Sequence, residues 1–212
     1  MTELEQFDSL VRRVGHQTRI AIALWEAVRP AARDTSIFSR FNDTEANNTV
    51  FALLQGSIWQ VALITCRVWD TDKKSASLPE ISRLLRKDGG SLADQIANRT
   101  ANRWRASERR WAEEQEADIA RHPVLAEMFR ASMVQADAYE IKRRKDILEW
   151  GKTFERQKAN LIKSNLNNLW KFRIKRLAHF DLRQGIDIDV AEAADLRDLF
   201  CVLVPQIDFL RK

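Results

Sequence analysis

Val50-Phe-Ala-Leu-Leu-Gln-Gly-Ser-Ile-Trp-Gln-Val-Ala-Leu-Ile-Thr-Cys-Arg-Val-Trp69 is the stretch from which the fold class is read. Val50, Phe51, Leu54, Ile58, Val61, Ala62, Ile64 and Val68 cover more than half the circumference of a helix, which predicts the most buried element of the chain. Thr44 offers this helix a capping side chain, and Trp69-Asp70 closes it. Upstream, Leu10, Val14, Ile20, Leu24 and Val28 draw a stripe along a first helix over about 3–28, which Pro30 is expected to stop.

Downstream, the polar turn after Asp70 leads into Ser77-Leu-Pro-Glu80, whose Ser-x-x-Glu spacing is that of a capping box, so a short helix is predicted from Leu78. It should end at Asp88-Gly-Gly90, with Ser91-Leu-Ala-Asp94 as the next helix start. Residues 91–120 are rich in Arg and Glu with a thin apolar set around Trp104 and Trp111. That predicts a helix reaching away from the core or packing on another subunit. His122-Pro123 predicts a break, because the residue before proline disfavours helical geometry. Helices are expected over about 124–148 and 151–178, the first broken or bent near Trp150-Gly151. A closing helix should run from Val190 to Leu210, capped by Asp189, with Leu196, Leu199, Phe200, Leu203, Val204 and Ile207 inward.

Six glycines and four prolines in 212 residues suit long helices better than many tight turns, and 45% hydrophobic residues supply a substantial core. The expected architecture is all-α, a single domain over 1–212 with a charged helical insertion at about 91–148. No run reaches the roughly 18 consecutive apolar residues of a membrane span, and the N-terminus does not resemble a signal peptide, so no membrane association is expected and the cytoplasm is the expected location. Cys66 and Cys201 lie far apart with apolar neighbours, which predicts two buried, reduced thiols.

Chemistry is expected elsewhere, in Leu169-Trp-Lys-Phe-Arg-Ile-Lys-Arg-Leu-Ala-His-Phe-Asp181. Arg173 is a permanent cation with a forked donor array for phosphate oxygens, and histidine is the side chain that exchanges protons near neutrality, here His179. Together they suggest a phosphodiester substrate. From Lys142 to Arg176 twelve basic residues face three acidic ones, a local balance of +9 in a chain of net charge +5. Such a positive segment fits a phosphate backbone, and also fits a solvated helix face. Lys171, Lys175 and Arg176 are the candidate contacts to a phosphate backbone; Arg176, three residues before His179, serves equally well as an ion-pair residue. His16 and His122 have no second ligand nearby, HExxH and His/Cys clusters are absent, and no metal site or cofactor is predicted. GxxxxGK[ST], GxGxxG and GxSxG are absent too, which leaves nucleotide hydrolysis, dinucleotide redox chemistry and α/β-hydrolase catalysis without support.

The string Phe172-Arg-Ile-Lys-Arg-Leu-Ala-His-Phe-Asp181 resembles the R-x(4–6)-H motif of the HEPN superfamily, and its Leu-Ala-His-Phe-Asp ending is similar to the abortive-infection AbiU-type branch. Ala62–Asp70 followed by Ser77–Leu85 is similar to a second segment of that branch. The resemblance implies an antiparallel helical bundle and a homodimer in which each subunit supplies an Arg and a His to one cleft. It also implies metal-independent RNA cleavage in phage defence or a toxin–antitoxin system, with an antitoxin protein as possible partner. Helical geometry agrees that the pair needs help, since six residues separate Arg173 and His179 by about 120° and about 9 Å. His179 would serve as general acid or base and Arg173 would stabilise the charged phosphorane, giving a 2',3'-cyclic phosphate. Ile174 stands where active members of the superfamily usually carry a polar residue, which keeps a non-catalytic module binding RNA, a nucleotide or a protein as the alternative.

Overall fold

The computed structural model describes residues 1–33, 45–72, 74–163 and 190–211. Among these the chain is all-α: helices α1 (Glu3–Arg33), α2 (Glu45–Val68), α3 (Leu78–Arg86), α4 (Ser91–Glu114), α5 (Glu116–Arg121), α6 (Pro123–Lys163) and α7 (Val190–Arg211), with a 3-10 turn at Lys87–Gly90 and no strand. The chain divides into two compact units, one of Met1–Gln6 with Ser82–Glu155, the other of Phe7–Ile81 with Arg156–Lys212.

In the second unit α1 buries Phe7, Leu10, Val11, Val14, Ala21, Trp25 and Val28, spaced three and four apart along one stripe. Ile20, expected inside, is exposed, because the buried stripe passes through Thr18 and Ala21 instead. The Thr18 hydroxyl donates to the Val14 carbonyl at 2.9 Å, so its polar atom is satisfied in the core. At the N-terminus Glu5 N–H donates to Thr2 Oγ1 and Thr2 N–H to Glu5 Oε2, a reciprocal capping box. Pro30 does not stop the helix, which continues to Arg33. The bond proline forfeits is to the carbonyl of exposed Glu26, where water can take its place.

Helix α2 departs furthest from expectation. Its buried residues are Val61, Ala62, Ile64, Thr65, Cys66 and Val68, all in the second half. Phe51 and Leu53 are 47% and 67% exposed, so this is not the most buried helix. Pattern alone showed that the side chains were apolar; it could not show which turns have a neighbour. By length and composition α2 would suffice to cross a membrane, and only 28% of its most apolar 18-residue window is buried.

The Ser77 cap forms as predicted: Glu80 N–H donates to Ser77 Oγ at 3.4 Å, and Ser77 is fully buried. On α7, Phe200, Leu203, Ile207 and Leu210 are buried, while Val204 faces outward at 37% exposure. The helix runs through Pro205. Gln206 Nε2 donates to Gln157 Oε1 at 2.9 Å, tying α7 to the end of α6. Gly15 provides close approach of α1 to α7, since a Cβ there would lie 2.6 Å from Nη2 of Arg211. Cys66 is buried as expected, but Cys201 is exposed, on the side of α7 away from Phe200, Leu203 and Ile207. Asp189, the expected cap of α7, lies outside the described residues.

The first unit is built on α4 and α6. Gly89 and Gly90 take φ of 66° and 98°, the left-handed region that favours glycine. Gly90, not Ser91, is the N-cap residue of α4, and Ser91 is its first helical residue with no side-chain cap. The left-handed turn itself redirects the chain. At His122 the backbone is extended and Pro123 opens α6, as the sequence predicts.

No break occurs at Trp150-Gly151; α6 is one helix of 41 residues. Buried Trp150 stacks on buried Phe154 with centroids 5.2 Å apart, which holds this turn helical against the roughly 1 kcal/mol disadvantage of Gly151. Phe154→Ala is expected to lower stability by about 3–5 kcal/mol, read as a fall in urea midpoint at unchanged m-value.

Candidate functional site

Lys171, Arg173, Lys175, Arg176 and His179 all lie outside the described residues, as do Trp170 and Ile174. They fall in the sequence interval between the end of α6 at Lys163 and the start of α7 at Val190. The upstream part of the basic segment is described, and it is not one free positive face. Arg143 is buried, and burial holds its pKa below the ordinary arginine value. Arg144 is paired with Asp94, and Lys152 lies 3.9 Å from Glu149. Lys142 and Lys145 are exposed. Adding charges along the sequence could not reveal this, because neighbouring basic residues on a helix point in different directions.

The best-developed polar constellation in the described residues lies between α4 and α6. Arg105 donates through Nε (3.0 Å) and Nη2 (2.6 Å) to Asp137 Oδ1, and through Nη2 to Glu140 Oε2 at 2.6 Å. Its hydrogen bonds to Glu140 first and to Asp137 second raise the Arg105 pKa above its ordinary value. Asn98 Nδ2 also donates to Glu140, and Asn102 donates to Asn98, so polar groups continue along the helix seam. Trp104 packs edge-on against Tyr139 at 5.7 Å and donates through Nε1 to Ser132 Oγ and Glu108 Oε1. Across the α4–α6 seam Arg105 and Arg144 are thus both paired with carboxylates of the facing helix.

Beside this seam is a groove of about 1050 Å³, lined by Leu4 and by residues of α4 and α6 that include Asp94, Arg99, Arg103, Arg105 and Arg144. Neither histidine, cysteine nor serine lines it. It has guanidinium and carboxylate groups that pair, and no group that exchanges protons near neutral pH. Among the described residues no group of three or more His, Cys, Asp or Glu is placed to hold a metal ion. His16 and His122 are both exposed.

Compared with known proteins, the chain matches no family model, no curated protein and no solved structure.

The Arg105 clamp was missed in the sequence, although the signal was present. Asp137 and Glu140 sit three apart on α6, so both carboxylates project from neighbouring faces, and a charged helix running back alongside needs a cation opposite them. Arg105→Ala is expected to speed amide hydrogen exchange in the distal half of α4 and the facing part of α6. Exchange in α7 should remain as in the parent protein; uniform acceleration throughout the chain would contradict a local clamp.

Proposed function

We propose that this chain is an RNA-directed helical protein of HEPN type, AbiU-like, acting as a metal-independent endoribonuclease in phage defence or a toxin–antitoxin system. The observation that carries the reading is the segment Arg173-Ile-Lys-Arg-Leu-Ala-His-Phe-Asp181, which combines a phosphate-binding cation with a histidine able to move protons. Its surroundings support it. The all-α fold suits the superfamily, and the second matched segment has the expected form, a helix ending at Val68 before Trp69-Asp70, then a Ser77-capped helix from Leu78.

In this reading His179 takes the proton of the ribose 2'-hydroxyl or returns one to the leaving oxygen, while Arg173 stabilises charge on the phosphorane. Lys171, Lys175 and Arg176 hold the flanking phosphates. A homodimer brings an Arg and a His from each subunit to one cleft, and an antitoxin protein would be the natural restraint on such activity.

A second reading is favoured by Ile174, which can neither donate a hydrogen bond nor assist proton transfer beside Arg173. It is binding without cleavage.

Purified protein incubated with tRNA or total RNA in EDTA separates the two. Cleavage to products with 2',3'-cyclic phosphate ends is expected, falling roughly 100-fold or more in His179→Ala. Equal cleavage by both proteins would count against the assignment, and a salt-sensitive gel shift without products would support the binding module.

A further inference from the structure

Helix α6 carries apolar residues on two opposite faces. Ala136, Ile147 and Trp150 lie on the covered face, together with buried Arg143. Val124, Met128, Ala131, Val134, Ala138 and Ile141 lie on the other, at intervals of four, three, three, four and three residues. On a helix Val124, Ala131 and Ala138 recur every seven residues, and Val134 and Ile141 follow three residues after Ala131 and Ala138, a stripe about 26 Å long with the spacing of a knobs-into-holes seam and Met128 on its flank. The whole stripe is open: Val124, Met128, Val134 and Ile141 are 67%, 58%, 67% and 72% exposed, and both alanines are exposed as well. The covered side of the same hairpin is thin, with Trp111, Leu125, Phe129 and Met133 only half-buried.

We infer that this stripe is a self-association surface, on which α6 of a second copy of the chain packs in antiparallel orientation. The charges decide both the occupant and its direction. Glu127 lies one heptad before Val134, and Lys145 one heptad after Ala138, so both belong to the seam. A parallel pair sets Glu127 against Glu127 and Lys145 against Lys145, like charges in contact. An antiparallel pair instead sets Val124 opposite Ile141 of the second copy, Ala131 opposite Val134, and Glu127 opposite Ala138. Along one flank it brings Arg130 beside Asp137 of the second copy, and by symmetry Asp137 beside Arg130, two complementary contacts from one surface. Asp137 receives both Arg105 bonds on Oδ1 and its side chain is 66% exposed, so Oδ2 is open to a second donor. Small Ala131 and Ala138 at the middle of the seam let the two helices approach closely. This surface lies on α6, apart in sequence from Arg173 and His179, and the inference does not rest on RNA cleavage.

Light scattering on the full-length chain eluting from a size-exclusion column at micromolar concentration tests it. The expected mass is twice the chain mass of 24.6 kDa, or four times it where the Arg173/His179 cleft adds a second interface, and it halves in Val134→Glu/Ile141→Glu. Both substitutions are on exposed positions, and an unchanged far-UV circular dichroism spectrum shows that the fold persists. Orientation is read by oxidative cross-linking in a Cys201→Ser background, since Cys201 is exposed. Val124→Cys and Ile141→Cys proteins should cross-link with each other when mixed and weakly with themselves. A monomeric parent protein, a double variant that keeps the parent's mass, or cross-linking only between identical variants would each overturn the inference.

Discussion

A helix of 41 residues without a break imposes the main constraint on the first unit, because every turn of α6 must find a neighbour or remain in water. The sequence meets that constraint differently along its length. Near Ile147, Trp150 and Phe154 it supplies large apolar side chains, and the turn at Gly90 brings Leu148 close, with a hypothetical Cβ at Gly90 lying 3.0 Å from Leu148 Cδ2. Toward Pro123 the buried positions become scarce, and Ala136 is the last fully buried one. Between Asp137 and Arg144 ion pairs join apolar burial as the contact between α4 and α6, and beyond Ala136 the seam has only half-buried side chains such as Phe129 and Met133.

That change has an energetic consequence. Exposed or half-exposed ion pairs contribute little to stability, since solvent screens them and ordering two long side chains offsets the attraction. Arg105 is better placed than most, because one guanidinium serves two carboxylates and its neighbour Trp104 closes over Tyr139. Such a network chooses register more than it adds free energy: sliding α4 along α6 by one turn would leave Asp137, Glu140 and Arg105 without one another. The distal hairpin is therefore well specified yet only lightly held.

Much of the architecture was legible because it follows from local chemistry. The Ser77 cap and the Pro123 helix start each depend on residues within one turn of the feature they predict, and the all-α class on the scarcity of glycine and proline along the whole chain. The errors share a different origin. Pro30, Trp150-Gly151 and Cys201 were read from residue type, but their outcome depends on what lies across from them, which a linear pattern does not contain. The same holds for α2: Phe51 and Val61 are equally apolar in sequence, and only packing distinguishes an exposed turn from a buried one. The basic segment shows the converse, since Arg143 and Arg144 add equally to a charge count although one is buried and the other is paired with Asp94.

The distribution of titratable groups narrows where proton chemistry can reside. Three histidines occur in the chain. His16 and His122 are exposed, the first on α1 and the second at the joint before α6, and among the described residues neither has a side-chain partner that would orient its ring. A histidine acting as acid or base needs such a partner, because the group bound to one ring nitrogen fixes which tautomer the other presents. The groove beside Arg105 has permanent charges and amides but no histidine, so it can hold a shape and a charge pattern without moving a proton. Among the described residues, then, neither histidine has the oriented ring that an acid or base needs, and the helices of the first unit are equipped for packing and pairing.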